Sequence, residues 1–281
     1  MIGIFDSGFG GLTILKGLIK ELPDYNYIYL GDNARAPYGN KSPDVIYNYA
    51  CEAVDFLFNH NCDLIIIACN TVSAQALKKI QQEYLPKKYP LKKVLGVVIP
   101  VVETVLENAR YSLKNKPVKI GLIGTKTTIN SKVYEDEIKK ISILKQVNNQ
   151  PLIFSISTPL LVPLVEEAWV KKIETKMILR KYLRPLKEKK IDYLILGCTH
   201  YPFLEKDIQN IIGKKTKIIS TPAATAEKLK IYLNKHKEID LKLEKKQPRR
   251  YFTTDDPKKF REFAGRFLPE LKIDKVEKTE L

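Results

Sequence analysis

Cys62-Asp63-Leu64-Ile65-Ile66-Ile67-Ala68-Cys69-Asn70-Thr71 and Lys190-Ile191-Asp192-Tyr193-Leu194-Ile195-Leu196-Gly197-Cys198-Thr199-His200 follow one pattern. Each sets an aspartate before a short apolar run and ends that run on a cysteine followed by small polar residues. Continuous apolar runs of this length read as strands buried on both faces, as in a parallel sheet. Upstream of each copy, another strand leads into a small polar loop and a helix: Gly3-Ile4-Phe5-Asp6-Ser7-Gly8 in the first, Gly121-Leu122-Ile123-Gly124-Thr125 in the second. The chain therefore reads as an approximate internal duplication of an α/β unit.

Outward from these copies, similar runs recur at Ile2 to Phe5, Tyr27 to Leu30, Val94 to Val98, Val118 to Ile123, Ile153 to Ile156 and Lys217 to Ile219. Helical patterns lie between them at Leu12 to Leu22, Val45 to Asn59, Ala74 to Tyr84 and Ser131 to Ile141. Strands alternating with helices predict βαβ units, with ligands at the carboxyl ends of the strands. The expected fold class is α/β, with two pseudo-symmetric domains, each a mostly parallel sheet flanked by helices, and the active site between them. The stretch Glu244 to Arg250, with its charge run and Pro248, is the most linker-like.

The 281 residues, 44% apolar and 28% charged, have the composition of a soluble globular protein. No stretch approaches the roughly 20 apolar residues needed to span a bilayer, so no membrane role is expected. The start, Met1-Ile2-Gly3-Ile4-Phe5-Asp6, lacks a basic segment followed by an apolar run, which makes a cytoplasmic location the default expectation. Cysteines 51, 62, 69 and 198 are then expected to be thiols. No Cys-x-x-Cys pair occurs, and His60-Asn61-Cys62 has no second ligand pair to close a zinc site, so no metal is expected. The formal charge of +16 raises the question of nucleic acid. Its distribution argues against a specific role: basic residues recur through Lys78-Lys79, Lys139-Lys140, Lys171-Lys172 and Lys245-Lys246 beside apolar positions, as solvated faces do.

Cys69 and Cys198 each end a strand just before a helix-initiating sequence, where backbone amides and the helix dipole are expected to lower a thiol pKa. One such cysteine alone reads as a small buried hydrophobe. Two at equivalent points of a duplicated unit read as a pair of proton-transfer groups, more ionised than Cys51 and Cys62, which read as structural.

The chain resembles the glutamate racemase family over nearly its whole length. The resemblance is carried by Phe5-Asp6-Ser7-Gly8-Phe9-Gly10-Gly11-Leu12, Gly31-Asp32-Asn33-Ala34-Arg35-Ala36-Pro37-Tyr38-Gly39, Ala68-Cys69-Asn70-Thr71, Val162-Pro163-Leu164-Val165-Glu166 and Gly197-Cys198-Thr199-His200-Tyr201-Pro202. Aspartate and hydantoin racemases share the two-cysteine plan but usually lack the His-Tyr-Pro continuation, so the match favours glutamate. It implies a cofactor-independent enzyme in which Cys69 exchanges the α-proton of the D-enantiomer and Cys198 that of the L-enantiomer. Asp6 is implied near the first thiol, His200 and Glu166 near the second. Ser7, Asn70, Thr71, Thr125, Thr128 and Thr199 are the expected carboxylate and ammonium binders, and Pro37, Tyr38 and Gly39 the pocket's closure. The domains are expected at 1–98 plus 224–281, carrying Cys69, and 99–223, carrying Cys198. The resemblance further implies a homodimer supplying D-glutamate for peptidoglycan.

Plainer readings stand beside these. Asp6 and Ser7 can cap the helix beginning near Gly10, His200 can be a satisfied core histidine, and Glu166 a first-turn helix carboxylate. The rival functions are racemisation of aspartate or a related small amino acid, an amino-acid-binding module, and a nicotinamide-dependent oxidoreductase. The last rests on Gly8-Phe9-Gly10-Gly11-Leu12-Thr13 between strand and helix, with Asp32 ending the next strand. It departs from that fingerprint at Thr13 and in the negative charge of Asp6. Two departures from the racemase pattern are Ser220-Thr221-Pro222, where no ligand contact is assigned, and Ala168 in place of a common glycine, expected to bear on the helix that carries Glu166.

Overall fold

Among the described residues, ten short strands arrange themselves in two fully parallel sheets. The computed structural model describes residues 1–110, 116–147, 149–245 and 249–281. The first sheet has the order β10-β9-β2-β1-β3-β4 and the second β6-β5-β7-β8. In chain order these are β1 Ile2–Asp6, β2 Tyr27–Gly31, β3 Leu64–Ile67, β4 Lys93–Gly96, β5 Lys119–Gly124, β6 Leu152–Ser157, β7 Tyr193–Gly197, β8 Lys217–Ile219, β9 Arg250–Thr253 and β10 Glu277–Lys278. Removing the last two leaves 2-1-3-4 in one sheet and 6-5-7-8 in the other, the same order shifted by four strands. This is the duplication written in topology.

The central strands carry the apolar runs for the reason the sequence suggests: β1, β2, β3 and β7 are buried at every position, because helices cover both faces of each sheet. Residues Asp6 and Ala68 end β1 and follow β3, which pair directly. Gly124 and Gly197 end β5 and β7 in the same relation. Each pair brackets the point where the strand order reverses, the crevice at which open parallel sheets bind ligands.

Two helices join the halves. The helix Leu12–Glu21 packs against Thr221–Lys235, so closely that a Cβ on Gly17 would lie 2.8 Å from the Pro222 carbonyl oxygen. Ser220 caps the second of these, its hydroxyl accepting from the Ala223 N–H, while the Thr221 hydroxyl donates to the Leu196 carbonyl. Ser220-Thr221-Pro222 thus holds helix to sheet.

Three features differ from the sequence reading. The predicted helix over Ala74 to Tyr84 is broken at Ala76 and continues as a π turn, Ile80–Tyr84, just before Pro86, whose ring disrupts the preceding turn. Arg250, read as linker, opens β9, which pairs with β2; residues 246–248 of that stretch lie outside the described residues. Ala168 has φ +59°, as the C′ residue of a Schellman motif closing the helix Leu161–Glu166: the Trp169 N–H donates to the Leu164 carbonyl and the Ala168 N–H to that of Val165. The glycine-like conformation is kept without the glycine.

Candidate active site

The two strand-end crevices meet at one cavity of about 210 Å3. Of the residues expected at the site, Cys69, Cys198, Ser7, Asn70, Thr71, Thr125, Thr199, His200, Glu166, Pro37, Tyr38 and Gly39 line it. Asp6 and Thr128 do not; both are fully buried behind the wall.

On the first side, Cys69 follows β3 and is 6% exposed. Its Sγ lies 3.3 Å from the Ser7 hydroxyl and receives the Val72 N–H. Asp6 accepts the Gly8 N–H at 3.0 Å and a hydroxyl hydrogen bond from Thr199 at 3.3 Å. The expected lowering of the Cys69 pKa is overturned. Burial pushes this thiol up to about 12, and the Asp6 carboxylate adds to the rise against the bonds from Ser7 and Val72. The physical reason is one of magnitude. A helix terminus is worth about 0.3–1 kcal/mol, less than one pKa unit, whereas full desolvation moves a group by up to about 3–5 units. Cys62 is likewise pushed to about 12 by burial, and Cys51 is raised, so Cys69 is not the more ionised thiol in the unliganded protein. Burial raises Asp6 as well, against the His200 charge and its own hydrogen bonds.

On the second side, Cys198 follows β7 and is 7% exposed. Nδ1 of His200 lies 3.9 Å from its Sγ, and Nε2 of His200 lies 3.0 Å from Oε1 of Glu166. Burial opposes a charged imidazole, yet the hydrogen bonds to Cys198 and Glu166, with their charges, raise His200 to about 10. The Schellman closure at Ala168 leaves Glu166 in reach of His200. Gly10 is required by this packing: a Cβ there would lie 2.4 Å from the Thr199 hydroxyl and 2.6 Å from Nδ1 of His200. The glycine turn read as a dinucleotide fingerprint is therefore filled by the protein's own second half, and no pyrophosphate cradle is formed.

Hydroxyls tie the halves together beside the cavity. Thr71 reaches Thr125 at 3.0 Å and Thr128 at 3.3 Å, and Thr125 and Thr128 are 2.9 Å apart. Thr127 donates to the Gly39 carbonyl at 2.6 Å, and the Gln75 amide to the Thr127 carbonyl at 3.2 Å.

Sequence reasoning missed several contributors. Tyr134 is fully buried and donates to the Asn70 side chain at 2.5 Å, fixing its amide. Asp32, noted only within a racemase motif and as the strand-end acid of the dinucleotide rival, accepts from Tyr38, from Arg35 Nε at 2.6 Å and from Thr254 at 2.8 Å. It is consumed in holding the Tyr38 wall. Thr158, Val162 and Lys126 also line the cavity. Among the described residues no cluster of His, Cys, Asp and Glu is arranged to hold a metal ion, and no helix is long and apolar enough to cross a membrane.

A profile of the Asp/Glu/hydantoin racemases matches residues 12–229. The chain belongs to that family. Within it, a glutamate racemase of Sulfurihydrogenibium is 39% identical over 281 residues, covering 100% of this chain and 98% of that protein. One from Geobacter metallireducens is 37% identical over 268 residues, covering 95% and 92%. Among solved structures, a glutamate racemase isoform from Bacillus anthracis superposes with a TM-score of 0.86 at 32% identity, covering 100% of this chain and 97% of that one. Glutamate racemase from Francisella tularensis, solved with D-glutamate, gives 0.83 at 34% identity, covering 99% and 97%. This racemase is thus an isomerase acting on amino acids, on a fold shared end to end with its relatives.

Proposed function

We propose that the cavity interconverts L- and D-glutamate by proton transfer at the α-carbon, with Cys69 and Cys198 as the two acid-base groups and no cofactor taking part. The observation that carries this reading is one cavity lined by two thiols that follow equivalent strands of duplicated sheets. Inversion needs a proton taken from one face of a carbon and another delivered to the opposite face, and groups from opposing halves supply both. The volume lies below the roughly 300–1,000 Å3 of pockets for drug-sized ligands, as suits a small metabolite. The glutamate racemase relatives and the D-glutamate complex support glutamate over aspartate.

In this mechanism Cys69 works on the D-enantiomer and Cys198 on the L-enantiomer. A buried Cys69 held up by Asp6 is a poor base until a positive charge enters. A substrate ammonium placed beside Cys69 in the cavity offsets the thiolate and the Asp6 charge behind the wall, so binding itself prepares the base. His200, kept cationic by its hydrogen bonds with Cys198 and Glu166, is the fixed cation of the second side. Ser7, Asn70, Thr71, Thr125 and Thr199 supply the neutral donors for substrate carboxylates, with Thr128 supporting Thr71 and Thr125 from behind. Fixed donors in a water-poor cavity add to the roughly 10²- to 10⁴-fold available from acid-base assistance.

We take 1–98 with 224–281 as one domain and 99–223 as the other. Supporting this, β9 and β10 join the β1 sheet while β5 to β8 all fall within 99–223; the helix Thr221–Lys235 runs across the division. A homodimer working in the cytoplasm and feeding D-glutamate to peptidoglycan completes the reading, as its family resemblance implies. Chiral analysis of purified protein incubated with each enantiomer of glutamate and of aspartate tests it. Turnover of glutamate in both directions is expected. Turnover of aspartate alone, or binding of glutamate without turnover, overturns it.

A further inference from the structure

A glutamate carries two carboxylates, and the protein already places negative charge beside the cavity, with Glu166 on its wall and Asp6 buried behind it. Among the described lining residues only His200 and Lys126 can bear positive charge, and His200 is committed to Cys198 and Glu166. Lys126 has no such commitment: among the described residues its ammonium takes no carboxylate partner, while many other lysines of the chain do. The exposed lining residues Pro37, Asn40, Lys126, Pro159 and Pro163 mark the cavity's open edge. The backbone there is pinned. Lys126 begins the helix Lys126–Asn130, capped by Thr125, whose hydroxyl accepts the Thr128 N–H. Both neighbours touch Gly39: Thr127 donates to its carbonyl, and a Cβ on Gly39 would lie 3.0 Å from that of Thr125.

We propose that Lys126 is a specificity-determining residue whose ammonium receives the side-chain carboxylate of a dicarboxylic amino acid at the cavity's edge. This rests on the racemase reading above. Neutral hydroxyls can orient a carboxylate but do not separate an acidic side chain from its amide, whereas a cation on a flexible stem does so and also draws an anionic substrate inward. The contact is with bound substrate in both enantiomers and does not change at the α-carbon during proton transfer, so it acts on binding more than on the chemical step.

The test measures steady-state racemisation of D- and L-glutamate by wild-type protein, Lys126→Gln, Lys126→Arg and, as a control of bulk charge, Lys139→Gln on an exposed helix face, each at low and high salt. Lys126→Gln is expected to raise KM about three- to tenfold in both directions, with a smaller change in kcat, and to flatten the salt dependence of kcat/KM. Lys126→Arg should recover most of the loss, and Lys139→Gln should behave as wild type. Wild-type turnover with an unchanged KM and salt slope in Lys126→Gln overturns this inference alone, as does an equal effect from Lys139→Gln. Wild-type protein that turns over neither enantiomer overturns the racemase reading and this inference with it.

Discussion

The Sγ of Cys198 lies 3.9 Å from Nδ1 of His200. Among the described residues nothing equivalent stands beside Cys69, whose side-chain partner is the neutral Ser7 hydroxyl and whose strongest charge influence is the Asp6 carboxylate. The duplicated sheets therefore present two thiols in matching positions but opposite electrostatic settings. One is served by a cation of the protein, the other by an anion.

That asymmetry makes stability depend on pH through His200. Its pKa rises from 6.5 to about 10 on folding, so the folded state binds the proton more tightly than the unfolded state. The stabilisation is fully present below pH 6.5 and is lost as pH rises toward about 10. Thermal unfolding should show a decline in Tm across this window in wild-type protein that is shallower in His200→Asn. Parallel Tm profiles for the two proteins would show that the imidazole is not held cationic.

Thiol labelling separates the two cysteines. Burial and Asp6 keep Cys69 protonated in the unliganded protein, and the thiolate is the reactive species. Peptide mapping after brief iodoacetamide treatment should find Cys69 labelled slowly at neutral pH and faster as pH rises. Asp6→Asn removes a charge that raises Cys69 and should speed its labelling at any given pH. Slower or unchanged labelling in that variant would separate Cys69 from Asp6 electrostatically.

Most of the scaffold was legible because its information is local. β1 to β8 announce themselves as apolar runs of parallel-sheet length, and Cys69 and Cys198 are marked by ending two of them. β9 is four residues next to a charged stretch and β10 only two, so neither carries a periodicity that can be read. Tyr134 and Asp32 were not assigned their roles because these are made by contacts with Asn70 and Thr254, far along the chain. The Cys69 setting was misjudged for a related reason. A helix start is visible in sequence, whereas the depth of burial that outweighs it is a property of both halves together.

Ala168 offers a test of backbone strain. Its φ of +59° lies where a Cβ costs about 1–2 kcal/mol relative to glycine's freedom, and glycine's greater unfolded-state entropy returns part of that. Ala168→Gly should therefore stabilise by about 0.5–1 kcal/mol, a rise in Tm of roughly 1–4 °C. Racemisation should be retained, since Glu166 keeps its helix. A fall in Tm would mean that the left-handed turn is not strained by alanine.

Gly10 is expected to tolerate no side chain. The Cβ of Gly10→Ala would meet Thr199 and His200 at 2.4 and 2.6 Å, and overpacking of this kind costs about 1–3 kcal/mol when neighbours must move. The neighbours here are His200, beside Cys198, and Thr199, whose hydroxyl donates to Asp6. Activity should fall by more than tenfold, while circular dichroism shows a folded chain with a lowered Tm. A variant with wild-type kinetics would show that the Thr199-His200 loop is free to retreat.

Two thiols on opposing halves predict a particular isotopic outcome. Each holds a single proton, so the group that removes the substrate proton differs from the one that delivers a solvent-derived deuteron to the other face. In deuterated water, product should carry deuterium from the first turnovers while remaining substrate, examined early, is almost unlabelled, in either direction. Replacing Cys69 or Cys198 by serine should lower racemisation both ways by at least about 10²-fold, because a hydroxyl is a far weaker acid than a thiol and the second face then lacks its partner. One half-reaction can survive such a change: the remaining thiol can still exchange the proton of its own enantiomer with solvent, so Cys198→Ser should label D-glutamate without inverting it, and Cys69→Ser should label L-glutamate. Equal early labelling of substrate and product in wild-type protein, or near-normal turnover in either serine variant, would require a single base that reaches both faces.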